Sequence, residues 1–555
     1  MTIQAPDLAA RVEALTVELV KIPSINGTEG EAKIARYIKN YLAQNPYFQE
    51  HPQFLLEQPL VNDHLGRMNV LALVKGEKAA SPRTVIIHGH IDTVGVDDFG
   101  SLKPYAFSPY ELADKLREAN IPAEVRTDLE SGEWLFGRGC NDMKAGVAVN
   151  LCVLEEFIKE RHNHSGNLLF MVNPVEENQH TGIMEALHAL KNLEAEHGLE
   201  YVVAVNQDFT APMFAGDGKH YFYLGAIGKL LPCFYVVGKE AHVGQCFSGF
   251  DPSLVAAEIT RGLDLNTQYC DRIDGEVTLP PTVLHMRELK PEYNVQTPRE
   301  AFVYANYFTY ETATKDVLAK MKELAAEAME RVITYMEGEH ETYCRQAGLG
   351  YRPAGWQPKV LTFAELKARI RELKGKELDQ ELLTKTREMM AAGKDLRVIC
   401  LSLVRDLKEQ DPDHDPCVIV FFAPPYCPRN RLHREIPAEA EVIAVLEQLV
   451  NEHREKTGQE ITINNYFPLL SDSSYMKMDD DDHSVAALID NLPGWHYVYP
   501  VPVAEIRQRD LPAINLGTYG KDGHKYTERV LKSYTFDTLP RLTLRFLELI
   551  LNARN

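Results

Sequence analysis

The sequence predicts an α/β protein in which a mostly parallel sheet, covered by helices, is interrupted along the chain by a smaller α+β domain. Three observations predict it. Through the first third, short apolar runs such as TVIIHGH, NLLFMVN and YVVAVNQD alternate with amphipathic helical stretches, the pattern of parallel strands joined by crossover helices. Near Gly218 the character changes to longer strand-like runs. From about residue 436 strong helical patterning resumes and continues to the C-terminus, so both ends of the chain are assigned to the first domain.

Taken in order, residues 8–42 show helical periodicity broken at IPSINGTEGE, where Pro23, Asn26, Gly27 and Gly30 mark a loop. A strand is expected at 84–88, then a long connection, then a helix from about 142 to 160. In the second domain LPCFYVVGKEAHVG and REAFVYANYFTYE read as strands, and 252–263 and 314–336 as helices. Residues 338–434 are richer in charge, contain a helix-like run at 363–390 and end in the proline-dense APPYCPRN; they read as an extra insertion. AEAEVIAVLEQLVNEHREK and residues 539–551 are the closing helices. The domains expected are therefore 1–217 with 436–555, and 218–435. The acidic run 479–482 lacks calcium-loop spacing and reads as a solvated loop.

Composition narrows the function. With 59 Lys+Arg against 80 Asp+Glu the formal charge is -21, which repels phosphate backbones and anionic membranes. Nucleic acid and membrane are not expected partners. No apolar stretch is long enough to span a bilayer, and the N-terminal residues carry acids instead of a signal-peptide core. Nine cysteines without CxxC pairs read as thiols of a reducing compartment. A cytoplasmic location is expected.

The chemistry is carried by a set of strand ends. TVIIH runs into GHIDTV, where alternation puts His90 and Asp92 on one face; an imidazole that binds a metal commonly donates its other N–H to a carboxylate. A structural hydrogen-bonded pair is the plainer reading of that motif alone. Asp142, in GRGCNDMKAG, reads either as a helix N-cap or as a carboxylate able to bridge two cations. Glu176 and Glu177 emerge together from the apolar run LLFMV, and adjacent like charges need a cation or proton to offset them. Asp208 lies just beyond YVVAVNQ, and His524 sits in the late loop GHKYTER. Sites in open α/β sheets form at the carboxyl ends of strands, and three such ends converge here.

Together HGHIDTV, GRGCNDMKAG, the paired Glu after a strand, the following Asp and the late GH resemble, in order and over nearly the whole chain, the metallopeptidase family of aminoacylases, acetylornithine deacetylase and succinyl-diaminopimelate desuccinylase. The resemblance implies a zinc-peptidase catalytic domain carrying a lid or dimerisation domain, and two zinc ions per chain, with Mn or Co as alternatives. It implies that Asp142 bridges them, with His90 and Asp208 on one ion and Glu177 and His524 on the other. It makes Glu176 the general base and Asp92 the group that orients His90. AHVG resembles the stretch around a lid histidine that helps hold the tetrahedral oxyanion, which assigns His242. YNVQTP resembles the segment before a lid strand, which assigns Asn294 to substrate.

The chain also departs from that pattern. Val175 stands where many members carry an acid, and FVYANYFTY lacks the arginine that commonly binds a substrate carboxylate, leaving Arg429, Arg431 and Arg434 as candidates. SDSSY, residues 471–475, replaces a loop usually rich in glycine. The function expected is hydrolysis of an amide or peptide C–N bond in a small amino-acid derivative or short peptide, by a homodimer or monomer, and the resemblance alone implies a place in arginine, ornithine or other amino-acid catabolism. The alternative is a non-catalytic, metal-containing binding protein on the same fold.

Overall fold

The computed structural model describes residues 5–375 and 377–552. By contacts the chain falls into two units: Met1–Ala226 with Asn430–Met478 and Pro502–Asn555, and Ile227–Arg429 with Asp479–Val501. The outermost residues of the first range and the last three of the chain lie outside the described residues.

The first unit is built on an eight-stranded sheet. Across it run Leu55–Pro59, Met68–Val74, Asn167–Asn173, Arg83–His90, Glu200–Asn206, Ala513–Asn515, His220–Leu224 and Ile461–Asn464. Its centre, from Asn167–Asn173 through Ala513–Asn515, is parallel, while the Leu55–Pro59 edge is antiparallel. Strands buried on both faces need apolar residues at every position, and Asn167–Asn173 is buried along its whole length. One set of its side chains, Leu168, Phe170 and Val172, joins the large core formed with the helices Ala5–Val20, Gly30–Ala43, Ala145–Glu160 and Leu539–Asn552. The intervening Leu169 and Met171 are equally buried, and Thr181–His197 packs against the same strand. At about 1.5–3 kcal/mol for each fully buried large aliphatic or aromatic side chain, these two faces fix the strand's register. They thereby fix where its end emerges.

Three expectations change here. His220–Leu224 pairs with Ile461–Asn464 and Ala513–Asn515, so the first sheet extends past residue 217. The helix expected from 142 begins at Ala145; the preceding Cys140–Lys144 is an irregular turn in which Asp142 has φ -115° and ψ 93°. Asp142 is therefore no helix N-cap.

The second unit carries a sheet ordered Thr282–Glu288, Glu300–Thr309, Pro232–Val237, Cys417–Phe422 and Val360–Thr362, with Gly228–Leu230 pairing onto Glu300–Thr309. Pro252–Leu263 and Thr314–Ala347 pack together beside it. The latter helix runs past residue 338, and Cys417–Phe422 is fully buried between two neighbours. Residues 338–429 are thus woven into this unit through two strands of its sheet and are not a separable insertion, while 430–434 group with the first unit. Their helical run divides into Phe363–Lys374 and Glu377–Ala391. The first opens with a capping box, in which the Thr362 hydroxyl and the Glu365 carboxylate satisfy each other's backbone N–H groups. The acidic run is not wholly solvated either. Asp480 is buried and pairs with Arg429, while Asp481 caps the helix Asp482–Asn491.

Candidate metal centre

Arg83–His90, Asn167–Asn173 and Glu200–Asn206 are neighbours in the sheet and end on the same side. His90 is the last residue of the first, Glu176 and Glu177 follow the second, and Asp208 follows the third. Gly517 allows the closing loop to pass beneath Asp208, because a Cβ there would stand 1.8 Å from the Asp208 carbonyl oxygen. His524 enters from the connection between Gly520–Lys521 and Arg529–Leu531, with φ 66°.

Asp142 lies at the centre of this arrangement. Its Oδ1 is 3.0 Å from His90 Nε2, and its Oδ2 is 3.0 Å from His524 Nε2. His524 Nε2 is also 3.2 Å from the Glu177 carboxylate. Two groups able to hold a metal ion result, His90–Asp142–Asp208 and Asp142–Glu177–His524, each with one donor atom per residue within 4.8 Å of the others. They share Asp142, one oxygen for each. His90, Asp142 and Asp208 are buried, whereas the His524 ring is about half exposed (49%), so the pair opens to solvent on the His524 side.

The electrostatics fit a cationic occupant. Burial and the neighbouring Asp142 charge push Asp208 up to about 8. Burial likewise raises Glu176 well above the ordinary carboxylate range, with Glu177 and Asp208 adding to it against His90 and His180. His524 loses by burial but gains more from Asp142 and Glu177, which bring it up to about 11. Carboxylates that resist ionising beside imidazoles that cling to protons describe a cavity with excess negative charge. Imidazole and carboxylate donors suit Zn²⁺, Mn²⁺ or Co²⁺.

Asp92 faces His90 and also holds the turn after the neighbouring strand. The nearest partner of His90 Nδ1 is the main-chain carbonyl of Asp92, at 3.1 Å, with the carboxylate at 3.7 Å. That carboxylate instead accepts the backbone N–H groups of Glu176 and Glu177, both at 3.1 Å, and the side-chain amide of Asn26 at 2.8 Å. Burial works against its charge, but His90 and these donors hold it below the usual range. Asp92 thus anchors the turn that carries both glutamates as well as standing behind His90.

Several residues that the motifs did not single out support the site. Glu528, four residues after His524 and buried, accepts the N–H groups of Asn141 and Asp142 at 3.0 and 3.2 Å and pairs with buried Arg138 at 2.8 Å. His180 Nδ1 lies 3.1 Å from Asp472 Oδ1 and 3.9 Å from Glu176 Oε1, which gives SDSSY a place behind Glu176. Glu176, His180 and Asp472 form a third buried group of possible ligands. Among the described residues, eight that are not glycine have positive φ, and Val175, His180, Asp522 and His524 are four of them. Each such residue costs about 1–3 kcal/mol, and such strain gathers at functional sites.

In the second unit His242 is exposed, and its Nδ1 accepts the Gly244 N–H at 3.1 Å. Asn294 is exposed, with its Oδ1 accepting the Gln296 N–H at 3.2 Å. Of the candidate arginines, Arg429 is taken up by the Tyr310 and Glu311 carbonyls and Asp480, and Arg434 pairs with Glu447 at the surface.

The model of peptidase family M20/M25/M40 matches residues 86–478. The protein RocB of Bacillus subtilis (strain 168) is 39% identical over 534 residues, covering 96% of this chain and 94% of its own. The uncharacterized protein YqjN of the same organism is 34% identical over 536 residues, covering 95% and 94%. Among solved structures, a tripeptidase from Staphylococcus aureus superposes with a TM-score of 0.50 at 14% identity, over 98% of both chains.

Proposed function

The chain belongs to peptidase family M20/M25/M40, and on that premise we propose that it is a two-metal hydrolase cleaving an amide or peptide C–N bond in a small amino-acid derivative or short peptide. One observation carries the reading: the two oxygens of Asp142 face His90 and His524 separately, each at 3.0 Å. In this reading His90, Asp142 and Asp208 hold one zinc ion, and Asp142, Glu177 and His524 hold the other. Two divalent ions bound there supply Lewis acidity, which polarises a scissile carbonyl and acidifies water.

The rest falls to the chain's own residues. Glu176, buried beside both groups and raised in pKa, takes a proton from the attacking water as its oxygen adds to the carbonyl carbon. It gives that proton to the leaving nitrogen as the C–N bond breaks, so that a carboxylic acid and an amine result. Asp92 fixes Glu176 through the backbone N–H, and His90 through its main-chain carbonyl. His242 donates Nε2–H to the oxyanion, and Asn294 contacts substrate. A substrate within arginine or other amino-acid catabolism is part of the proposal and follows from the family resemblance of the motifs alone. Nine cysteines without CxxC spacing support a reducing, cytoplasmic setting; among the described residues no helix is long and apolar enough to cross a membrane.

The test is zinc content per chain together with hydrolysis of a panel of N-acyl amino acids, arginine-derived amides and dipeptides, before and after Glu176→Ala. Two zinc ions are expected in both proteins, with turnover reduced by about 10²–10⁴-fold or more in the variant. Two zinc ions in the unaltered chain without hydrolysis of any amide would make it a binding protein.

A further inference from the structure

The loop IPSINGTEGE lies behind the turn bearing Glu176 and Glu177, reaching it through Asn26 and Glu31. That turn begins with Val175, a β-branched residue at φ 71°, in the region that favours glycine. Both of its peptide groups are held. The Val175 N–H donates to Glu31 Oε1 at 3.1 Å, and its carbonyl accepts the His180 N–H at 2.8 Å. The next two N–H groups donate to Asp92. Glu31 is itself immobilised, fully buried, with Oε2 accepting the Gly27 N–H at 2.7 Å and facing Arg67 Nη1 at 3.2 Å. Arg67 is in turn gripped by Asp63. A buried carboxylate with both oxygens committed cannot swing away, and its reach ends on the residue whose conformation aims the glutamates.

We propose that Glu31 is a positioning residue: by holding Val175 in the left-handed conformation it fixes the direction of Glu177, and so sets the affinity of the ion on the Asp142–Glu177–His524 side. The inference rests on the two-metal reading above. It requires the two ions to respond unequally, because His90 and Asp208 come from other strands.

The experiment is titration of Co²⁺ into the metal-stripped full-length chain, followed by calorimetry and by visible absorption, with the melting temperature recorded for each protein. In Glu31→Gln one face of the group becomes a donor opposed to an N–H or to Arg67. The ion that His524→Ala removes should bind about 10–100-fold more weakly, the range for loss of a group supporting a ligand, while the other stays within about threefold. Adding Val175→Gly, which adopts positive φ without strain, should restore the weakened ion. Glu31→Asp, which keeps the charge and shortens the reach, should repeat the loss and serves if Glu31→Gln does not fold. Equal weakening of both ions with a lowered melting temperature, or no change in either, overturns the proposal. An unaltered chain that binds fewer than two Co²⁺ ions overturns the two-metal reading, and this inference with it.

Discussion

Asp142 gives one carboxylate oxygen to each of two imidazoles, so its loss and the loss of either imidazole should differ in kind. Asp142→Ala is expected to leave less than about half a zinc ion per chain, and His524→Ala about one, as counted by metal analysis after dialysis; equal losses would contradict a shared ligand. The residues of this centre are legible because each sits in a short motif, His90, Glu176, Glu177 and Asp208 at strand ends and Asp142 and His524 in turns. His90 and Asp142 were findable from HGHIDTV and GRGCNDMKAG, and Glu176 with Glu177 from a charged pair leaving an apolar strand. Glu31, His180, Asp472 and Glu528 were not, since they act through hydrogen bonds to groups far along the chain. Glu31 reads in sequence as an ordinary first-turn acid of a helix, and only the fold brings it to Val175. Asp92 was legible as a partner of His90, but its two bonds to the Glu176 and Glu177 N–H groups depend on how adjacent strands end.

Elements with a continuous apolar run were predicted well. NLLFMVN and YVVAVN became Asn167–Asn173 and Glu200–Asn206. The same signal failed to place CVIVFF, which is embedded in a charge-rich stretch yet forms an interior strand of the second sheet. The composition of that stretch shows the helix-like run at 363–390, while the burial of this strand is decided by neighbours far away in sequence. His220, opening a strand of the first sheet, gives an element-scale prediction. Its ring stacks on Tyr534 at 4.0 Å and meets Tyr519 edge-on at 4.6 Å, and Nδ1 is buried without a hydrogen-bond partner. Burial, with help from His453, lowers it from 6.5 to about 4. The unfolded chain therefore takes up this proton first as the pH falls. The stabilisation is complete above about 6.5 and is lost as the pH drops from there through 4. His220→Phe should show a shallower fall in melting temperature between pH 7.5 and 5 than the unaltered chain; identical slopes would contradict this account.

At the scale of the whole molecule, every proposed metal ligand and Glu176 belong to the first unit, whose segments come from both ends of the chain. The general plan, a helix-covered sheet interrupted by an α+β segment, was legible because strand and helix patterning return after residue 436. The division itself was less so, since residues 479–501 group with the second unit and nothing in their composition separates them from the first. The most direct test of the two-metal centre is anomalous diffraction at the zinc edge from crystals of the zinc-loaded chain. The account predicts two peaks about 3.5–4 Å apart, one on each side of the Asp142 carboxylate, and none in the second unit. A single peak, or a peak held by Glu176, His180 and Asp472 instead, would contradict it.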